Sequence, residues 1–218
     1  MLCVSNQRRM VMQALGVAIS AVVLAGCSAP GLWVFEPAGT TPTTGAGAKV
    51  DPAAYADSIW ASKVVPTVSE KAVEVATLLP AIRKDPVAAG KTSGIASTSG
   101  GAPTFMVKGS GKVVKVDTSD PHGPVTVDLG NGLKVQITTG PVITGTAIRD
   151  AMGIGFGEFA NQIAYQNIGT ALNNKSKTEV IAKLDLKSLE GKTLTFEGAF
   201  SASSVDEVLV VPTKLTVT

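Results

Sequence analysis

Apolar residues follow three rhythms along this chain, and each predicts a different kind of element. Met10 to Leu24 is almost continuously apolar. From about 51 to 83 the apolar positions recur at helical spacing. Asp51-Pro52 opens the first helix, since Asp is a good N-cap and Pro is tolerated at the first helical position. Tyr55, Ile59 and Trp60 then form one buried face. A second helix is predicted from about Val68 to Arg83, with Val68, Val75, Leu78, Leu79 and Ile82 apolar and Pro80 a source of kinking. With the small, polar loop SGIASTSGGAPT, residues 50–100 read as a helical hairpin and loop docked on another element.

From Phe105 the period becomes two. Phe105 to Val116 alternates through Val107, Val114 and Val116, and Gly109 and Gly111 allow that long strand to bend. Pro121-His122-Gly123-Pro124 turns the chain into a second strand over Val125 to Leu129. Gly130-Asn131-Gly132 is a hairpin signal. Leu133, Val135 and Ile137 form the inward face of a third strand. A helical pattern follows, with Phe156, Phe159, Ile163 and Leu172 on one side, and another turn or two from Thr178 to Leu184. Two strands close the chain, Lys192 to Ala199 and Val208 to Val217. Leu194 and Phe196 are expected in the core beside the third strand's residues.

Three strands, a helical insert and two strands is the order of a five-stranded oligonucleotide/oligosaccharide-binding barrel. The predicted class is therefore α+β: an N-terminal helical hairpin on an OB-like barrel over 104–218, the insert lying between strands three and four. An open antiparallel sheet with helices on one face is the alternative.

The N-terminus changes the picture most. Arg8 and Arg9 precede the apolar stretch, which ends in Leu24-Ala25-Gly26-Cys27. Small residues that stop at a cysteine behind a short apolar helix make a lipobox, so residues 1–26 are a signal peptide and Cys27 takes diacylglycerol. The stretch of about 15 residues falls short of the roughly 20 that span a bilayer. Acyl chains, palmitate among them, then anchor the chain to a membrane, each buried CH₂ contributing about 0.8 kcal/mol. Residues 27–49, rich in Gly, Thr, Ala and Pro from Ala38 onward, form a tether to one globular domain over 50–218. Within it, Leu32-Trp33-Val34-Phe35 either sits in the lipid interface or covers a patch of the domain. The expected location is the cell envelope, facing the periplasm, with the outer membrane taken ahead of the inner.

Cysteine and charge then exclude several classes. Cys3 leaves with the signal and Cys27 is acylated, so no thiol remains for a disulfide, and stability must come from a packed core. Of 19 basic residues, Arg8 and Arg9 are also removed, and the mature chain balances its 17 acidic residues. Such neutrality gives no attraction for polyanions. Between Phe105 and Thr139 the one aromatic is Phe105, so stacking of nucleic-acid bases is not expected either.

Catalytic motifs fail on inspection. His122 is the single histidine, without a Gly-x-Ser-x-Gly elbow or thiol to serve it, and reads as a solvated turn residue. Gly90-Lys91-Thr92 and Gly191-Lys192-Thr193 lack the preceding glycine of a phosphate loop, where Asp85 and Leu186 stand. Gly153-x-Gly155-x-Gly157 has Glu158 in place of the third glycine and reads as a hinge. Asp117-Thr118-Ser119-Asp120 lacks the rest of a calcium loop and reads as a turn. No metal or cofactor is expected. What remains is Arg149 and Asp150 with Asn161, Gln162 and Tyr165. Asn161 and Tyr165, four apart, share one helix face. This polar stripe suits a hydroxyl-rich ligand or a partner's backbone. In the alternative, Arg149 and Asn161 tie the helices to the barrel by salt bridging and capping.

Three stretches carry a family resemblance: Asp51-Pro52-Ala53-Ala54-Tyr55 through Ile59-Trp60, Gly140-Pro141-Val142-Ile143 through Gly145-Thr146-Ala147-Ile148-Arg149-Asp150, and Phe159-Ala160-Asn161-Gln162-Ile163 with Tyr165. Leu172-Asn173 and Gly191-Lys192-Thr193 through Gly198-Ala199-Phe200 extend it. The chain resembles a bacterial family of predicted periplasmic lipoproteins of unknown function. The resemblance implies an exported, lipid-anchored protein with a barrel-like domain. It also implies a role near solute uptake, because genes of such proteins often lie beside sugar-type ABC transporter components. It supplies no catalytic residues. One departure is Gly153 to Gly157, glycine-rich where a firmer link is expected. The leading expectation is a non-enzymatic envelope lipoprotein that binds ABC transporter components or a small polar solute. An enzyme acting on envelope carbohydrate and a structural scaffold are the rivals.

Overall fold

A computed structural model describes residues 50–96, 101–203 and 208–218. The expected signal peptide and tether, with Cys27 and Leu32–Phe35, and part of the loop before the first long strand lie outside the described residues. No helix among those described is long and apolar enough to cross a membrane.

Asp51 caps helix α1 (Pro52–Ile59) as its sequence predicts, its Oδ1 accepting from the backbone N–H of Ala53 at 2.7 Å and of Ala54 at 3.3 Å. A π-helical turn, Trp60–Val64, leads into α2 (Val65–Lys71). The single second helix expected over 68–83 is instead broken at Ala72. Val73–Glu74 form a short strand, β1, parallel to Val107 and Lys108, before α3 (Val75–Lys84). Pairing with a strand distant in sequence overrides the local helical pattern there. A further helix, α4 (Pro86–Ser93), fills the stretch between the expected second helix and the expected loop. Its cap is Asp85, which accepts from Val87 and Ala88, so Asp85-Pro86 repeats the Asp51-Pro52 device. The predicted hairpin is thus four helices with a strand between them.

The long strands fall where the period of two places them: β2 (Thr104–Val116), β3 (Pro124–Gly130), β4 (Leu133–Thr138), β5 (Thr193–Ser201) and β6 (Leu209–Val217). They complete a six-stranded sheet in the order β1-β2-β3-β4-β6-β5, and β5 pairs again with β2, so the ladder closes a circuit. β4 and β6 run parallel; the other long pairs are antiparallel. Glycines let the strands approach each other. A Cβ on Gly109 would stand 2.8 Å from Val75 Cγ1 and 2.9 Å from Phe196 Cζ, and one on Gly111 would land on the Asp128 carbonyl.

Burial along β2 explains the layers. Thr104 to Val107 are buried without alternation, because both sheet faces are covered there. Phe105 and Val107 join Phe196, Phe200, Ile137, Leu194 and the α3 residues Val75, Leu79 and Ile82 in one core. Met106, on the opposite face, joins Trp60, Val64, Ile148, Ile168 and Leu172 in a second. Val135, Ile137, Leu194 and Phe196 are buried as expected, and Leu133 is half-buried.

The insert between β4 and β5 holds α5 (Ala147–Ala151) and α6 (Gln162–Glu179). Its buried face matches the expected one in part: Phe159 and Leu172 are buried, but Ile163 is 72% exposed and Phe156 49%, and Tyr165 and Ile168 are buried beside Leu172. Asn161 is the N-cap, so α6 starts at Gln162 and its phase carries Ile163 outward.

Candidate functional site

Three of the five polar residues singled out in the sequence come together, and they are buried. Arg149 is 2% exposed and Asp150 5%. The Arg149 fork donates from Nε and Nη2 to Asp150 Oδ1 at 2.9 and 2.8 Å. Arg149 Nη1 donates to the Tyr165 carbonyl, and its guanidinium lies over the Tyr165 ring. The Tyr165 hydroxyl donates to the Ile154 carbonyl at 3.3 Å. Thr146 Oγ1 donates to the second Asp150 oxygen at 2.7 Å. A charge pair taken out of water needs such full hydrogen bonding to persist. Asn161 and Gln162 do not join this cluster. Asn161 Oδ1 accepts from Ala164 N at 2.8 Å as the α6 cap, and Gln162 is an exposed first-turn residue. The five residues therefore do not present one accessible stripe. Tyr165 turns inward with α6's apolar face, while Asn161 turns its oxygen onto its own helix.

A cleft of about 480 Å³ opens elsewhere, beside the β2–β3 loop. Strand register builds its floor. Lys115 of β2 lies opposite Thr126 of β3, Thr126 opposite Gln136 of β4, and Gln136 beside Leu209 of β6. One row thus crosses four strands, and it lines the cleft together with Asp117, Asp120, His122, Pro124 and Ser203. Row positions in register project to the same sheet face.

The loop that walls the cleft is tightly specified. Asp117 Oδ1 accepts from the Ser119 backbone and hydroxyl and from Asp120 N, an Asx-type turn. Asp120 Oδ1 accepts from His122 N at 2.8 Å and meets its Nδ1 at 3.0 Å. The His122 carbonyl accepts from the N–H of Thr139 and Gly140 and from the Thr138 hydroxyl. Gly123 has φ +53°, and a Cβ there would meet Gly140 at 2.7 Å, so the turn needs glycine for both reasons. His122 is thus a turn residue with a partly solvated ring, as expected, and its hydrogen bonds hold it at the edge of the cleft.

Its electrostatics are those of a fixed, ionised site. The Lys115 ammonium, 2.7 Å from Asp117, and the Ser119 donors hold the Asp117 carboxyl far below the usual carboxylate range. In turn Asp117 raises Lys115. The His122 backbone N–H, and then its ring, lower Asp120. Among the described residues, no group of three His, Cys, Asp or Glu could hold a metal ion. What the arrangement offers is a mixture of donors and acceptors, with Pro124 and Leu209 as small apolar contacts.

Sequence reasoning missed this site because its members are ordinary polar residues, scattered from 115 to 209. The one available signal was the Pro-His-Gly-Pro turn between two predicted strands.

Comparison with known proteins fits this architecture. No curated protein matches the chain. The crystal structure of an OB-fold protein from Thermotoga maritima superposes with a TM-score of 0.64 at 21% identity, covering 77% of this chain and 98% of that one. At that identity the likeness establishes the fold. Residues 17–216 match the family described as predicted periplasmic lipoprotein (DUF2291). With the match running from the apolar N-terminal stretch to the last strand, the chain belongs to this family of periplasmic lipoproteins.

Proposed function

We propose that this lipoprotein is a non-enzymatic binding protein that holds a small, uncharged, hydroxyl-rich solute in the cleft between the β2–β3 loop and the β2–β3–β4–β6 row. The observation that carries this is the row itself: Lys115, Thr126, Gln136 and Leu209 in register across four strands. The closed strand circuit supports a five-stranded barrel, and barrels of this class bind oligosaccharides and oligonucleotides on the face of their second and third strands. Here those strands are β3 and β4. Two carboxylates and a lining without Phe, Tyr or Trp favour a sugar-like solute over nucleic acid.

A carbohydrate-cleaving enzyme needs one carboxylic acid with a raised pKa to protonate the leaving group. Asp117 and Asp120 are both displaced the other way, which favours binding over cleavage. Acylation of Cys27 would keep the domain at the membrane, where sugar-type ABC transporter components are the partner class this reading implies. Cys27→Ser should leave an unprocessed precursor that takes up no labelled palmitate; normal labelling would contradict the anchor.

The binding test is saturation-transfer NMR on the purified lipoprotein in detergent with glucose, galactose and arabinose. Transfer to at least one sugar, lost in Gln136→Ala at unchanged melting temperature, is expected. No transfer to any, or transfer indifferent to Gln136→Ala, would overturn the reading.

A further inference from the structure

A second cavity of about 170 Å³ adjoins the cleft and shares Ser203 and Leu209 with it. Thr138, Thr144, Thr146 and Ser201 line it with hydroxyls. The contact between Thr144 Oγ1 and His122 Nε2, at 3.4 Å, marks the boundary between the two spaces.

Where the protons of these hydroxyls point decides what the cavity accepts. Each threonine has one O–H proton and two lone pairs. Thr146 donates its proton to Asp150 Oδ2, and that carboxylate is held in place by Arg149 through its other oxygen. Thr138 donates its proton to the His122 carbonyl. Thr138 is 1% exposed, so the half-buried Thr146 is the one that faces the cavity as an acceptor. The loop that carries Thr144 and Thr146 is pinned as well, because Asn173 Nδ2 donates to the Ile143 and Gly145 carbonyls at 3.3 and 3.0 Å. The Thr146 methyl packs against Gly169, where a Cβ would stand 3.0 Å away. Thr146 is thus fixed in position and in proton direction.

We infer that the ligand is an extended neutral saccharide, with one sugar unit on the Lys115–Gln136 row and the next in this second cavity, a hydroxyl of it donating to Thr146. The inference rests on the cleft reading above and deepens it. At Thr146 a carboxylate would bring lone pairs to lone pairs whereas a hydroxyl donates, so this position favours a neutral unit. The buried Arg149–Asp150 pair acts here through Thr146, as a positioning device.

The test is calorimetry on the detergent-solubilised lipoprotein with glucose, galactose and arabinose beside the disaccharides maltose, lactose, cellobiose and trehalose. The best-bound disaccharide should bind about tenfold tighter than the best monosaccharide, the gain of a hydrogen-bonded second unit. Thr146→Val should erase that gain and leave monosaccharide binding within about twofold, while Thr146→Ser retains it. If Thr146→Val fails to fold, Ile143→Trp fills the cavity from its rim and should cause the same loss. Monosaccharide binding that depends on Gln136, with disaccharides no tighter, would overturn the second unit and leave the cleft reading standing. A disaccharide gain that survives both variants would do the same. Absence of binding by every sugar would overturn both.

Discussion

The guanidinium carbon of Arg149 lies 3.8 Å from the centroid of the Tyr165 ring, and the adjacent Asp150 fixes it there. The cation sits on the negative face of the ring while its fork bonds the carboxylate, so one side chain joins α5 to α6. Arg149→Ala would leave Asp150 buried and unpaired, and should cost about 3–5 kcal/mol in urea unfolding. Arg149→Lys should restore little, because an ammonium can neither fork nor stack in the same way. A loss below about 1 kcal/mol in the alanine variant would mean the pair is dispensable.

Asn161 is a cap, and its replacement should behave as the loss of one. Asn161→Ala is expected to lower stability by about 0.5–2 kcal/mol, with Asn161→Asp nearly neutral. Thermal melts decide it. Sugar binding should be unchanged in both, and a selective loss of binding would return Asn161 to the candidate site.

The inner core and the outer face of the insert should respond oppositely to truncation. Phe196 is fully buried beside Gly109, and Phe196→Ala should cost about 3–5 kcal/mol. Ile163, exposed on α6, should tolerate alanine within about 0.5 kcal/mol. Chemical denaturation of the two variants side by side checks the helix phase as well as the core.

Asp117 supplies a pH test. Its carboxyl is held down by Lys115 and Ser119 in the folded protein, whereas the unfolded chain titrates near about 3.9. The stabilisation is therefore complete above the unfolded value and is lost as pH falls through the lower folded one. Carbon-detected NMR titration should find Asp117 still ionised at about pH 3.5, below the usual midpoint. Lys115→Ala should move its midpoint upward. An ordinary midpoint in the wild type would contradict the ion pair.

These tests also separate what was legible in the sequence from what was not. Alternation at Val125, Val127, Val135 and Ile137 revealed the strands, because their two faces meet different media. Asp51-Pro52 marked a helix start, and Asp85-Pro86 carried the same signal unnoticed within a bland stretch. The break at Val73–Glu74 was not local, since it depends on pairing with Val107 and Lys108. On α6, Tyr165, Ile168 and Leu172 recur at helical spacing and form the buried stripe, while the cap at Asn161 keeps Phe156 and Phe159 off the helix. The cleft was illegible for a different reason: Lys115, Gln136 and Leu209 become neighbours only through the pairing of β2 with β3, β3 with β4 and β4 with the distant β6.

The central claim is that the row across β2, β3, β4 and β6 is where solute binds. Amide chemical-shift mapping of the lipoprotein in detergent, titrated with its best-bound neutral sugar, tests it most directly. Perturbations should centre on Thr126, Gln136, His122 and Leu209 and spare Asn161 and Gln162. Perturbations centred on Asn161 and Gln162, or none along the row, would contradict it.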